Sequence, residues 1–138
     1  MLNKKNRIII IASIILLLIN KNILFGQNTE IELFQGKWLA IPLSQLGLAL
    51  MSNSYFLVEG FEFSNGTFKF FRMEGRGLLA MANPTVLNEG KFTVNTVKKT
   101  IDLIDVFNVK TTLQYAFSDE NNTLRFRRVD GVTFTFYK

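Results

Sequence analysis

TLRFRRVDGVTFTFYK (residues 123–138) alternates with a period of two along almost its whole length. Leu124 and Phe126 oppose Arg125 and Arg127; past Asp130-Gly131, Val132, Phe134 and Phe136 oppose Thr133, Thr135 and Tyr137. Such alternation gives an extended chain one apolar and one polar face, and Asp-Gly between two such runs is a strong hairpin signal.

The same rhythm extends back through the chain. TTLQYAFS (111–118) sets Leu113, Tyr115 and Phe117 against polar or small residues and is followed by a DENN turn (119–122). TIDLIDV (100–106) and KFTVN (91–95) read as two more strands, preceded by an NEG turn (88–90). LLAMANPTVL (78–87) contains Asn83-Pro84 and is at best a short edge strand, because proline cannot donate to a ladder. TFKFFRME (67–74), a tight SNG turn (64–66), SYFLVEGFEF (54–63) and KWLAIPL (37–43) complete the pattern. Asn65-Gly-Thr and Asn121-Asn-Thr fit a glycosylation pattern, and both also carry the residues that tight turns favour. NTEIELF (28–34) reads as a short helical turn with Asn28 or Thr29 as cap. LSQLGLALMSN (43–53) reads as an apolar connection with one to two turns of helix. Eight to nine short strands in sequential hairpins describe an all-β, up-and-down antiparallel barrel, since closure removes exposed sheet edges. A β-sandwich is the competing architecture.

Residues 1–26 stand apart. Lys4, Lys5 and Arg7 precede an apolar run from Ile8 to Ile19, and Gly26 precedes Gln27, which is the layout of a secretory signal peptide. The run is shorter than the ~20 residues a spanning helix needs. An uncleaved anchor is the alternative; after cleavage no stable membrane insertion is expected. The expectation is therefore a signal peptide over 1–26 and a barrel domain over 27–138, in a secreted or periplasmic, bacterial protein. Four of the 16 basic residues and none of the 11 acidic ones lie in the leader, so the remaining 12 against 11 nearly cancel. The overall net charge of +5 is then no sign of nucleic-acid binding. With no cysteine, the domain must be held by its core alone.

The single tryptophan lies in ELFQGKWLAIPL (32–43), as Gly36-Lys37-Trp38 at the start of the first strand. With Leu33, the mid-domain EGKFTVNTVKKTIDL (89–103) and the final LQYAFSDENNTLRFRRVDGVTFTFYK (113–138), this pattern resembles the small bacterial lipocalin-like domains of the calycin group. The Thr-Asp-Tyr segment, the disulfides and the long helix of the larger secreted lipocalins are missing. The resemblance implies that Trp38 plugs the closed end of the barrel and stacks with a basic side chain near the C-terminus. Arg125, Arg127 and Arg128 are the candidates, with Arg127 placed first.

The chain has no histidine and no cysteine, which removes thiol nucleophiles, imidazole bases and the usual zinc sites. Glu59 with Glu62 and Asp102 with Asp105 are spaced three apart on strands, so each pair divides between opposite faces and makes no acid/base couple. EGRG (74–77) lacks the following helix of a phosphate cradle. No metal or cofactor is implied, and the expectation is a non-enzymatic protein. The functional lead is the apolar character of two connections, since connecting segments are ordinarily polar. Leu46, Leu50 and Met51 in the first, and Leu79 and Met81 in the second, would arch over the barrel mouth. Beneath them the expected lining is Phe56, Val58, Phe68, Phe70, Tyr115 and Phe126, and the expected partner is a small hydrophobic molecule such as a fatty acyl chain. The alternative is a barrel filled by its phenylalanines, 14 in the whole chain. It would serve as an interaction or inhibitor-like module, with the apolar loop as a plug or half of a homodimer contact.

Overall fold

Alternation becomes eight strands in the computed structural model, which describes residues 30–138. The expected signal peptide, the helix cap at Asn28 or Thr29 and the boundary at residue 26 lie outside the described residues. A short helix, α1 (residues 30–34), precedes β1 (Gly36–Leu39). Then follow α2 (Leu43–Met51), β2 (Phe56–Ser64), β3 (Thr67–Gly75), α3 (Gly77–Ala82) and β4 (Thr85–Asn95). The chain ends with β5 (Thr100–Asp105), β6 (Lys110–Ser118), β7 (Thr123–Arg127) and β8 (Thr133–Tyr137). Every strand pairs antiparallel with the next, and β1 pairs with β8, so the meander closes into a barrel. The closing seam is slight: its register rests on one pair, Leu39 opposite Tyr137.

Turn chemistry explains the hairpins. Asn65 and Gly66 both take positive φ, 49° and 79°, the geometry of a two-residue turn that matches strand twist. Asp119, Glu120 and Asn121 likewise turn with positive φ between β6 and β7. Gly131, with φ 87°, lies in the link between β7 and β8, where Arg128 N–H donates to Val132 O at 2.9 Å.

Three elements depart from the sequence reading. The first strand, expected over 37–43, ends at Leu39, and Leu43 already belongs to α2. Residues 78–82 form α3 rather than an edge strand, and Asn83-Pro84 ends that helix because the residue before proline is driven out of the α region. Asn88-Glu89-Gly90 is not a turn: it lies inside β4, which continues across it to Asn95. Gly90 is there because a Cβ would run into the Ile104 carbonyl of β5. The β3–β4 register also shifts between Phe70 and Phe71, leaving Leu87 without an opposite number in the ladder.

Among the described residues, buried side chains gather both inside the barrel and on its outer wall. Inside the barrel, Phe34, Trp38, Phe63, Phe68 and Phe92 gather at the end where β2 turns into β3. The second core lies on the outer wall. Strand parity sends Phe56 and Val58 of β2, Phe71 and Met73 of β3 and Leu39 of β1 outward, where Leu46 of α2 packs on them. Leu46, Ala49 and Leu50 of α2 share a helical face by their spacing, and Ala80 and Met81 of α3 pack partly against the same cluster. Gly60 lets this core close up, since a Cβ there would stand 2.5 Å from Trp38 O and 2.8 Å from the Phe71 ring. Strand β2 is therefore buried on both faces.

Candidate functional site

The closed end of the barrel is built around Trp38, which is completely buried. Its Nε1–H donates to Phe34 O at 2.7 Å, tying β1 back to α1's last residue. Phe34 in turn meets Tyr115 and Phe117 edge-on, each with centroids 4.9 Å apart. The basic group over the indole is Lys138, with Nζ 5.1 Å from the ring centroid, within cation–π range. Arg127, expected in that place, is exposed on the outer wall among Gln114, Arg125 and Thr133. The reason is parity: Leu124 and Phe126 take the inward positions of β7, so Arg125 and Arg127 must face out. Gly36 takes φ 106°, a conformation that favours glycine, and Lys138 Cε lies 3.4 Å from where a Cβ would stand.

Above this plug a cavity of about 340 Å³ lies in the other half of the barrel. That is the low end of the range of small-molecule sites. Phe61, Phe68, Phe126 and Phe136 line it together with Leu103 and Leu113. Phe70 and Phe134 also face it. The rings touch across the barrel: Phe61 meets Phe126 at 5.6 Å and Phe136 at 5.2 Å between centroids, both edge-on. The lining also has a polar part, with Glu59, Asn88, Asp105, Thr111 and Arg128.

The charged members of this polar part are held by neighbours. Glu59 Oε1 accepts from Arg72 Nη2 at 2.7 Å and Nε at 3.2 Å, and the carboxylate pulls the Arg72 pKa upward through that hydrogen bond. Arg128 Nη2 lies 3.0 Å from Asp130 Oδ2. Asp105 Oδ1 accepts two loop amides, Phe107 N–H at 2.9 Å and Val109 N–H at 2.8 Å. Asp102 and Asp105 divide between faces as their spacing predicts, but Asp105, which reads as a surface residue in the sequence, lines the cavity with Glu59, while Asp102 binds Lys110 and Thr112 on the outer face at 2.7 and 2.6 Å. Glu59 and Asp105 therefore share one cavity, each with hydrogen-bonding partners of its own. Among the described residues no group of three or more potential ligands is placed to hold a metal ion.

Of the residues expected to bind a ligand, Phe68, Phe70 and Phe126 line the cavity. Tyr115 is inside the barrel but belongs to the plug, beside Phe34 and Phe117. Phe56 and Val58, expected inside, face out, because the inward positions of β2 are Glu59, Phe61 and Phe63. Leu46 is buried with them in the outer core, and Leu50 and Met81 lie partly buried against it. Met51 and Leu79 point into solvent, 88 % and 80 % exposed. The two apolar connections thus clothe the wall of the barrel. They do not bridge its mouth. The residues that sequence reasoning missed are Phe61, Leu103, Leu113, Phe134 and Phe136; all share strand parity with Phe68, Tyr115 or Phe126 through the cross-strand pairs.

The ends of the barrel differ in character. The links at the open end carry exposed Tyr55, Leu78, Leu79, Val106, Phe107 and Val129. The turns at the closed end, SNG, NTVKK and SDENN, are mainly polar. No described helix is long and apolar enough to cross a membrane. Comparison with known proteins finds no match among family models, curated proteins or solved structures.

Proposed function

We propose that this is an exported, non-enzymatic, lipocalin-like protein that carries a small hydrophobic molecule in the upper half of its barrel. The supporting observation is the cavity of about 340 Å³ lined by phenylalanine and leucine. Binding there draws on burial of apolar surface at ~25 cal/mol per Å², before the cost of association. The tryptophan plug at the opposite end agrees with the lipocalin-like layout, and export rests on the basic-then-apolar N-terminus of the sequence.

A saturable one-to-one titration with a naphthylamine fluorophore is expected. Phe134→Asp, at the cavity wall, should weaken it at least fivefold, and Leu79→Asp, on the exposed side of α3, should leave it unchanged. No saturable signal, or loss in Leu79→Asp alone, overturns the reading. A second reading, a protein-interaction module, draws on Leu48, Met51, Leu78 and Leu79, all more than two-thirds exposed on α2 and α3. A stable dimer by light scattering that Leu79→Asp dissociates would favour it.

A further inference from the structure

The charge balance of the cavity lining singles out one sign of ligand. Among the described residues three ionisable side chains line the cavity: Glu59, Asp105 and Arg128. Glu59 is matched by Arg72 and Arg128 by Asp130, so each forms a locally neutral pair. Asp105 has two backbone amides and no ion pair among the described residues. Those amides aim its carboxylate but leave its unit charge in place. The rest of the lining is dominated by six phenylalanines. Their ring faces are weakly negative and attract cations, as a carboxylate does.

Resting on the reading of this cavity as a ligand site, we propose that it selects small apolar cations, with Asp105 as the discriminating charge. The ligand class is an amine or quaternary ammonium on a short alkyl or aryl group. At ~30 Å³ per non-hydrogen atom, the volume of a water in liquid, the cavity holds about eleven such atoms. The apolar part then lies among Phe61, Phe68, Phe126 and Phe136, and the ammonium sits at the end where Asp105 closes β5. A carboxylate ligand would meet the uncompensated Asp105, and to reach Arg128 it would have to displace Asp130.

Calorimetric titration of the protein with octylammonium, 1-octanol and octanoate tests this, because the three share a chain and differ in head charge. The expected order is octylammonium tightest, 1-octanol next and octanoate weakest. Asp105→Asn keeps a side-chain oxygen for the two loop amides; it should weaken octylammonium about fivefold, the scale of a half-exposed charge pair, and leave 1-octanol unchanged. Asp102→Asn removes the same charge from the outer face and should change neither. Octanoate binding as well as octylammonium, or equal effects of Asp105→Asn and Asp102→Asn, overturns the selectivity while the carrier reading stands. If none of the three binds, the carrier reading falls and this inference with it.

Discussion

Leu46→Ala separates a wall-packing role for α2 from a lid over the mouth. Leu46 is 2 % exposed and packs with Leu39, Phe56, Val58, Phe71 and Met73, none of which lines the cavity. The substitution removes three carbons, which at ~0.8 kcal/mol per buried CH₂ is about 2.4 kcal/mol. Incomplete collapse of the surrounding strands and helices adds a void term, bringing the loss to about 3 kcal/mol. For a domain of this size that corresponds to a fall in Tm of roughly 12 °C. Urea unfolding followed by circular dichroism should show the lower midpoint with an unchanged slope. Leu48→Ala, on the same helix but 68 % exposed, should cost less than about 0.5 kcal/mol. Affinity for the naphthylamine fluorophore should be the same in wild type and Leu46→Ala at a temperature where both are folded. A loss below 1 kcal/mol, or an altered affinity without a stability change, would refute the assignment of α2 to the outer core.

Two further perturbations probe the plug and one ion pair. Lys138→Ala removes the cation over Trp38 and should cost about 0.5–1 kcal/mol in urea unfolding, whereas Arg127→Ala on the outer wall should stay within about 0.5 kcal/mol of wild type; the reverse order would restore Arg127 to the indole. Asp102 is held below the ordinary aspartate value of 3.8 by its hydrogen bonds from Lys110 and Thr112. A carboxyl lowered in this way contributes stability above its unfolded pKa and loses it as pH falls through the folded value. Asp102→Asn should therefore cost up to about 1 kcal/mol at pH 7, and the difference from wild type should shrink steadily as pH falls below the ordinary aspartate range through the lowered folded value; a gap that does not shrink in acid would mean the loss is not electrostatic.

Where one face of a strand meets the core and the other meets water, the sequence was readable. Strands β6 to β8 follow that rule, and their alternation predicted both hairpins and the inward Phe126. The Gly-x-Trp start was legible only as a resemblance, and the structure supplies a physical ground for its glycine in the positive φ of Gly36. Strand β2 defeated the same logic. In FLVEGFEFS both parities are apolar, because Phe61 and Phe63 fill the barrel while Phe56 and Val58 lie under the helices. A strand buried on both sides carries no alternation from which to choose the inner face. The tandem Phe70-Phe71 hides the same division, with one ring in each core. Gly90 misled in the opposite direction, since a glycine needed for close backbone approach looks like a turn when the neighbouring strand is unknown. Helix α2 was partly legible as a helical connection, but nothing in LSQLGLALM says which surface its leucines cover.

The narrow join between the first and last strands gives the tryptophan a second task. Trp38 belongs to β1 and Lys138 directly follows β8, so the ammonium resting on the indole acts as a clasp across the gap that the ladder barely stitches. Unfastening it would free two strand borders at once, each able to recruit another chain. Concentrated solutions of a protein lacking that lysine should therefore accumulate strand-exchanged assemblies sooner than the parent does.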